Sequence, residues 1–261
     1  MKKIIGLVSL LLSISIYAGE FEDDQKSCND GNITGCYNLG VDYAQGIGTT
    51  QDNVKALKYY HIACDKEHMA GCYNIGSTYL QGIEVNKDIE KAKVYLTKAC
   101  EGAFDLACYG LGVLHLRIEK NYPKAKKHFT QSCQLEHVEG CRMAGISHYD
   151  KSVGTRDISK VVHFYTKACE LGDGLSCNNI ASFYEIGKEV KEDYSKSLKL
   201  YQKACDLNYA DGCSNLGTMY HFAQGTPKDD VKALKLLKKG CDGGSARGCK
   251  GYKIISRKLL K

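Results

Sequence analysis

The stretch Cys64–Cys72, CDKEHMAGC, sets two cysteines eight residues apart around a charged spacer that contains one glycine. The same spacing begins at Cys28, Cys64, Cys100, Cys133, Cys169, Cys205 and Cys241, and these seven segments use all fourteen cysteines of the chain. In one continuous helix, residues eight apart are separated by about 12 Å, whereas a disulfide requires Cα atoms within about 7 Å. A disulfide at this spacing therefore requires the chain to turn back inside the spacer, and the Gly or Asp in each spacer allows such a turn.

The seven segments follow one another at intervals of 36, 36, 33, 36, 36 and 36 residues, which is typical of a repeat array. After each pair come about ten residues with apolar groups at helical spacing, a loop containing glycine, and a longer amphipathic segment such as Val54–Ala63. Each unit is therefore predicted to be a helix–turn–helix hairpin. The unit from Cys108 to Cys133 is three residues short, and we assign the deletion to the loop LRIEKNY between its helices.

The start of each second helix is marked by a residue that can cap the helix N-terminus. A carboxylate at this point caps free N–H groups and suits the positive end of the helix dipole. Aspartates stand there at Asp52, Asp88, Asp157, Asp193 and Asp229. Thr226 and Pro227 predict the same start by another device, a hydroxyl cap followed by proline in the first turn.

The cysteine pairs are predicted to be disulfides that tie the end of one hairpin to the start of the next. Zinc ligands within a pair usually lie two to four residues apart, and these cysteines have no regular histidine partners. The predicted bonds are Cys28–Cys36, Cys64–Cys72, Cys100–Cys108, Cys133–Cys141, Cys169–Cys177, Cys205–Cys213 and Cys241–Cys249. Bonds at the junctions stabilise an array whose repeats contact only their neighbours, and this chain has no Trp and only six Phe to fill its cores.

The first eighteen residues predict a secretory signal peptide, with two lysines, an apolar run and a small residue, Ala18, at its end. The apolar run is short for a membrane anchor, and no cysteine follows the cleavage point to carry a lipid. Cleavage lowers the formal charge from +6 to +4 through loss of Lys2 and Lys3. We therefore expect a secreted or periplasmic protein that has no membrane span, does not bind nucleic acid and forms disulfides.

The recurring residues Leu39-Gly40, Tyr43, Gly46 and Lys55-Ala56 resemble Sel-like repeats, which are relatives of the tetratricopeptide repeat. The paired cysteines are similar to those of the cysteine-rich Hcp family of Helicobacter. This resemblance implies an all-α, right-handed α/α superhelical solenoid of disulfide-stapled hairpins. We expect one domain over residues 19–261, with about six repeats and a capping helix at about 249–261. Ala181 departs from the pattern, since it replaces the helix glycine found at Gly40, Gly76, Gly112, Gly145 and Gly217.

The Hcp resemblance also implies a penicillin-binding or β-lactamase activity, but the sequence lacks the corresponding motifs. After the signal segment, no Ser or Thr has a Lys three residues later, and Ser-Asp-Asn and Lys-Thr-Gly are absent. The eight histidines are scattered without a zinc-binding spacing, and His115 and His148 occupy the repeat position of Tyr43, which indicates packing. The cysteine pairs are too widely spaced for a redox Cys-x-x-Cys site. No catalytic residue, cofactor or metal is predicted.

A recurring asparagine is the candidate binding feature. It stands two residues after the second cysteine of a pair, at Asn38, Asn74, Asn179 and Asn215, and Gly110 and Met143 interrupt the row. A similarly placed Asn in tetratricopeptide domains holds the backbone or terminal carboxylate of a bound peptide, and an amide can pair with any extended main chain. The asparagines could instead cap their helices. Arg142 is a further candidate, as a cation for a carboxylate.

Three functions follow as alternatives. The first is a secreted scaffold, monomeric, that binds an extended peptide or a protein partner of the host or the cell envelope in a concave groove lined by the first helices. The second, implied by the family resemblance, is a β-lactam-binding or hydrolysing protein that acts on a penicillin- or cephalosporin-type compound near peptidoglycan. The third is a structural envelope protein.

Overall fold

The computed structural model describes residues 19–82, 84–150 and 156–259, in which all regular structure is α-helical. The helices are α1 (19–29), α2 (Ile33–Gln45), α3 (Asn53–Asp65), α4 (Met69–Gln81), α5 (Ile89–Glu101), α6 (Asp105–Arg117), α7 (Tyr122–Gln134), α8 (Val138–Tyr149), α9 (Ile158–Glu170), α10 (Gly174–Ile186), α11 (Tyr194–Asp206), α12 (Ala210–Phe222), α13 (Asp230–Asp242) and α14 (Ala246–Leu259). The all-α repeat architecture is therefore confirmed. The signal-peptide prediction for residues 1–18 lies outside the described residues.

The chain divides after Ile118 into two compact units. In the first unit, α2 packs on α3, α3 on α4, α4 on α5 and α5 on α6. In the second unit each helix from α7 to α14 packs on the next, and α12 also contacts α10 and α14. Consecutive helices therefore pack as neighbours in each unit, as expected for stacked hairpins. One solenoid domain over 19–261 stays a prediction.

Each second helix begins at a side-chain cap. The five predicted aspartates accept hydrogen bonds from the backbone N–H three residues later, at 2.8–3.1 Å. Asn121 does the same for α7, which carries proline in its first turn. The prediction for Thr226 and Pro227 was wrong, because α13 begins at Asp230 and its cap is Asp229. Thr226 and Pro227 lie before this cap, in the loop that precedes α13.

The hairpin loops explain the short repeat. Loops 46–52, 82–88, 187–193 and 223–229 each have seven residues, whereas loop 118–121 has four. The three-residue deletion therefore lies in the loop where the sequence predicted it, and α6 and α7 keep the usual length of thirteen residues.

All seven predicted disulfides are present, and the described residues contain no free cysteine. Their Cα atoms are 4.3–4.7 Å apart, because the chain reverses inside each spacer. The reversal uses one residue with positive φ at the same place in every spacer. These residues are Gly31, Glu67, Ala103, Glu136, Gly172, Asn208 and Gly244. The prediction that Gly or Asp makes each turn was thus wrong for four of the seven spacers.

The glycine just before the second cysteine is not part of the turn but lies where the two linked helices pack closely. At Gly71 an added Cβ would lie 3.1 Å from both the Ala63 side chain and the Tyr60 carbonyl oxygen. At Gly212 it would lie 2.5 Å from the Ala204 side chain. At these two junctions the helices linked by the disulfide approach closely, whereas Ala107 and Ser176 fit, fully buried, at the same position of two other junctions.

The helix glycine of the repeat lets the two helices of a hairpin approach each other. A Cβ at Gly40 would lie 2.7 Å from the Tyr60 ring, and one at Gly217 would lie 2.9 Å from Leu237. Ala181 fits at the same repeat position in α10, fully buried against Tyr201. His115 and His148 are 4% and 6% exposed, and His148 stacks on Phe164, consistent with packing positions.

The C-terminal helix begins earlier than predicted. The expected capping helix started at about residue 249, whereas α14 starts at Ala246 and carries Cys249 in its first turns. It packs on α13 and α12, as a first helix of a further hairpin would. The described residues contain no further helix after it.

Candidate functional site

The four asparagines of the row lie inside their helices and not at the helix ends. The residues at the N-caps of α2, α4, α10 and α12 are Asn32, His68, Asp173 and Tyr209. Each asparagine of the row follows its cap by six residues, in the second turn of the helix. The alternative that they cap the helices was therefore wrong.

Three of the asparagines bind the residue fourteen positions earlier, on the preceding second helix. Asn38 donates from Nδ2 to Asp24 Oδ1 at 3.2 Å. The side chain of Asn74 shares a hydrogen bond with the Tyr60 hydroxyl, and burial raises the pKa of Tyr60 to about 12. Asn179 pairs with the Tyr165 hydroxyl in the same way, and burial raises that pKa also. A single such bond leaves other amide donors and acceptors unused.

In the first unit, Asn74 lines a groove of about 430 Å³ between α2, α3 and α4. Its wall is polar and aromatic, formed by Tyr37, Val41, Ala44, Gln45, Gln51, Asn53, Ala56, Tyr60, Asn74, Ser77, Thr78 and Gln81. The Tyr37 ring stacks on the His68 ring, with centroids 4.4 Å apart, which fixes one rim of the groove. We call this surface the α2–α4 groove. Asn38 is not part of its wall.

In the second unit, Asn179 and Asn215 line a groove of about 350 Å³, which we call the α10–α12 groove. Its wall consists of Tyr149, Tyr165, Asn178, Asn179, Ser182, Phe183, Asn215 and Arg247. Asn215 is 8% exposed; its Nδ2 donates to Asn178 Oδ1 at 2.8 Å and its Oδ1 accepts from Arg247 Nη1 at 2.6 Å. These bonds orient the amides of Asn178 and Asn215 and hold the guanidinium of Arg247 at the wall of the groove.

The structure places Arg142, the cation suggested by the sequence, away from the α10–α12 groove. Arg142 pairs with Asp173, with Nε 3.4 Å from Oδ2, and it lies outside the wall of the groove. The cation at the groove is Arg247 on α14. Arg247 was missed because the C-terminal helix was predicted to start after it. Asn178 and Ser182 were missed because these residue types recur too irregularly at their repeat positions to be recognised in sequence.

Nothing in the described residues points to catalysis. No group of three or more His, Cys, Asp or Glu side chains could hold a metal ion in that part of the chain. Several buried serines are used structurally: Ser176 donates to Asp173 Oδ2, Ser197 to the Met219 sulfur and Ser214 to the Ala210 carbonyl oxygen. Within the same ranges, every helix is too short or too polar to cross a bilayer.

Comparison with known proteins identifies the repeat. The Sel1 repeat matches residues 33–68, 70–104, 105–137, 138–173, 174–209 and 210–245. No curated protein matches the sequence. Among solved structures, a protective antigen of uropathogenic Escherichia coli, c5321, is 22% identical with a TM-score of 0.73 and coverage of 93% of this chain. A Sel1 repeat protein of Oxalobacter formigenes is 23% identical with a TM-score of 0.70 over 85% of this chain.

The chain spans only 53% and 65% of the lengths of these two relatives, so their likeness shows the fold. Cysteine-rich protein B of Helicobacter pylori is 34% identical, with a TM-score of 0.42, and the match covers 52% of this chain and 98% of that protein. The repeat matches cover most of the sequence, and five of the seven disulfides lie wholly within residues 33–245, while Cys28–Cys36 and Cys241–Cys249 each have one cysteine outside that range. The chain belongs to the Sel1 repeat family, as a cysteine-rich member whose scaffold is of the kind typical of protein–protein interaction.

Proposed function

We propose that the protein is an extracytoplasmic scaffold that binds an extended peptide, or an extended segment of a partner protein, through the α2–α4 and α10–α12 grooves. The asparagines of these grooves pair with the main chain of the ligand. The observation that carries the proposal is the position of Asn74, Asn179 and Asn215: each lies in the wall of a groove, within a helix, with its amide held by a neighbouring side chain.

The chemistry of the grooves suits a main chain better than a particular side chain. An amide offers a donor and an acceptor, as a peptide bond does. Aromatic rings beside it, such as Tyr37 and Tyr165, supply flat surface at small cost in side-chain entropy. Arg247 adds a positive charge at the α10–α12 groove, so that groove should prefer a segment with an acidic group nearby.

The disulfides support the same function by rigidity. A groove that is already formed does not have to be ordered when the ligand binds, which preserves affinity. Bonds that hold the junctions of α9 with α10 and of α11 with α12 fix the helices that carry Asn179 and Asn215. Seven disulfides also require an oxidising compartment, and release into the periplasm or medium after cleavage near Ala18 remains part of the proposal.

The test is a selection from a random-peptide library on immobilised, oxidised protein, followed by affinity measurements on the recovered peptides. Asn179→Ala should weaken binding roughly three- to a hundredfold, because it removes a hydrogen bond and leaves a buried partner unpaired. Asn86→Ala is the matched control, since Asn86 is exposed in loop 82–88. Equal affinity of both variants and the wild type would refute the role of the asparagine.

A further inference from the structure

Charge is distributed very unevenly along the chain. Residues 228–259, which include α13 and α14, contain ten Lys or Arg and three Asp or Glu, a net charge of +7. The whole chain carries +6, so all other residues together carry −1. At the opposite end of the sequence, residues 19–30 contain five acidic residues and one lysine, a net charge of −4. Helix α14 is thus basic, and helix α1 is acidic.

The repeat register shows which residues of these two helices would face each other. In four of the hairpins the helix glycine meets the residue twenty positions later: Gly40 meets Tyr60, Gly76 meets Leu96, Gly145 meets Tyr165 and Gly217 meets Leu237. The period places Lys253 of α14 at the glycine position. It places Asp24 of α1 at the facing position.

The helices α1 and α14 are the two incomplete hairpins of the described chain. α14 has the place of a first helix without a second helix after it, and α1 has the place of a second helix without a first helix before it. Where complete hairpins set glycine against a large side chain, the two ends carry a long lysine and a short aspartate. Because the facing residue is the short Asp24 and not a large side chain, the contact has room for the side chain of Lys253.

A buried acid marks the α1 side of this surface. Asp42 on α2 is 5% exposed, and its Oδ2 has no hydrogen-bond partner. Burial, with the charges of Asp24 and Glu20 nearby, raises the pKa of Asp42 to about 6. Three carboxylates therefore lie close together, and a buried carboxylate such as that of Asp42 is costly unless it is paired. Lys250 lies at the repeat position of Tyr37, whose ring contacts that of Tyr60, so it too would face the position of Asp24.

We propose that α14 of one copy docks on α1 of a second copy, so that Lys250 and Lys253 meet Glu20 and Asp24, close to the buried Asp42. The contact is heterologous, since each copy uses a different surface on its two sides. It leaves one acidic and one basic end free and therefore extends into open chains. A monomer was the expectation from sequence; this proposal replaces it.

Sedimentation velocity of the purified, oxidised protein tests the contact over about a hundredfold range of concentration. At low ionic strength the average mass should rise with concentration. At about 1 M salt, where the screening length falls to about 3 Å, the protein should return to monomer. Asp24→Lys and Lys253→Asp should each move the association midpoint at least tenfold higher, because like charges then face each other.

Charge reversal on both sides makes the test specific. The double variant Asp24→Lys with Lys253→Asp should associate again, and a mixture of the two single variants should form alternating mixed chains. Glu22→Lys and Lys235→Asp change net charge equally but lie outside the predicted contact, and should associate like the wild type. Melting curves of each variant show whether it is folded.

The proposal is overturned if the wild type stays monomeric at every concentration. It is also overturned if the double variant does not associate again. Binding of the wild type to vesicles with anionic lipid, lost in Lys253→Asp while no self-association is seen, would assign the basic helix to a lipid surface and would equally overturn it.

Discussion

At the scale of single residues, two buried ionisable groups depart from the pattern of the repeats. Asp42 is a carboxylate without a partner, and His148 takes a position where other repeats have tyrosine. In those repeats a lysine lies over the tyrosine ring, as Lys55 does over Tyr43 and Lys232 over Tyr220. A histidine at this place is close to Lys160, which disfavours its protonation. Both residues therefore make stability depend on pH.

For Asp42 we expect a gain in stability on neutralisation. Its folded pKa of about 6 lies above the ordinary value of 3.8, so the folded state holds the proton more tightly and stability is lost as pH rises from about 4 to about 6. Asp42→Asn should melt about 2–4 °C above the wild type at pH 7. Below pH 4 the two proteins should melt alike, and a difference that does not change with pH would contradict the assignment.

His148 should have the opposite dependence. Burial, Lys126 and Lys160 lower its pKa from 6.5 to about 4, although Asp157 partly opposes them. The folded state then resists protonation, so the stability present above pH 6.5 is lost as pH falls towards 4. His148→Tyr, with the residue of other repeats, should lack this loss. Denaturation midpoints of both proteins at several pH values measure it, and parallel curves would show that His148 is not responsible.

At the scale of the helix, the sequence predicted the hairpins well because their signals are local. Helical periodicity, the aspartate caps such as Asp52 and Asp88, and the shortened loop 118–121 all depend on neighbouring residues. The turn residues were not predictable in this way. Glu67 and Ala103 take positive φ because the disulfide and the packed helices on both sides impose it, which no local preference reveals.

Two glycines that face the same leucine provide a matched test of helix packing. A Cβ at Gly76 would lie 2.8 Å from Leu96 Cγ, whereas a Cβ at Gly110 would lie 3.7 Å from the same side chain. Gly76→Ala should therefore cost about 1–3 kcal/mol through overpacking. Gly110→Ala should be neutral or stabilising by about 0.5–1 kcal/mol, because alanine favours the helix. Chemical denaturation measures the free energy of unfolding of both variants. Equal changes in the two would contradict the close approach of Gly76 to Leu96.

At the scale of the whole chain, the junction disulfides were predictable from spacing and chain reversal, but the residues of the candidate grooves were predictable only in part. Asn74, Asn179 and Asn215 were recognised because they repeat. Arg247 was not, since it occurs once and reaches the groove from a helix whose start was misplaced. The α2–α4 groove combines residues of three helices and the α10–α12 groove residues of five, and a periodic pattern on one helix does not reveal such a combination.

The disulfides should differ in their access to reductant. Cys249 is exposed and Cys241 partly exposed, whereas both cysteines of the five bonds between residues 64 and 213 are buried. Limiting reductant should therefore open Cys241–Cys249 first and Cys28–Cys36 next. Alkylation followed by peptide mapping gives the order. Early labelling of Cys100 or Cys108 in folded protein would contradict the burial of the inner junctions.

The central claim is that the groove asparagines hold the main chain of an extended ligand. The most direct measurement is the affinity of one selected peptide synthesised repeatedly, each time with a single peptide nitrogen methylated. Loss of each N–H that pairs with an asparagine should weaken binding about three- to tenfold, and the effect should disappear in Asn179→Ala or Asn74→Ala. Affinity that depends on side chains alone, and is unchanged by methylation at every position, would contradict the account.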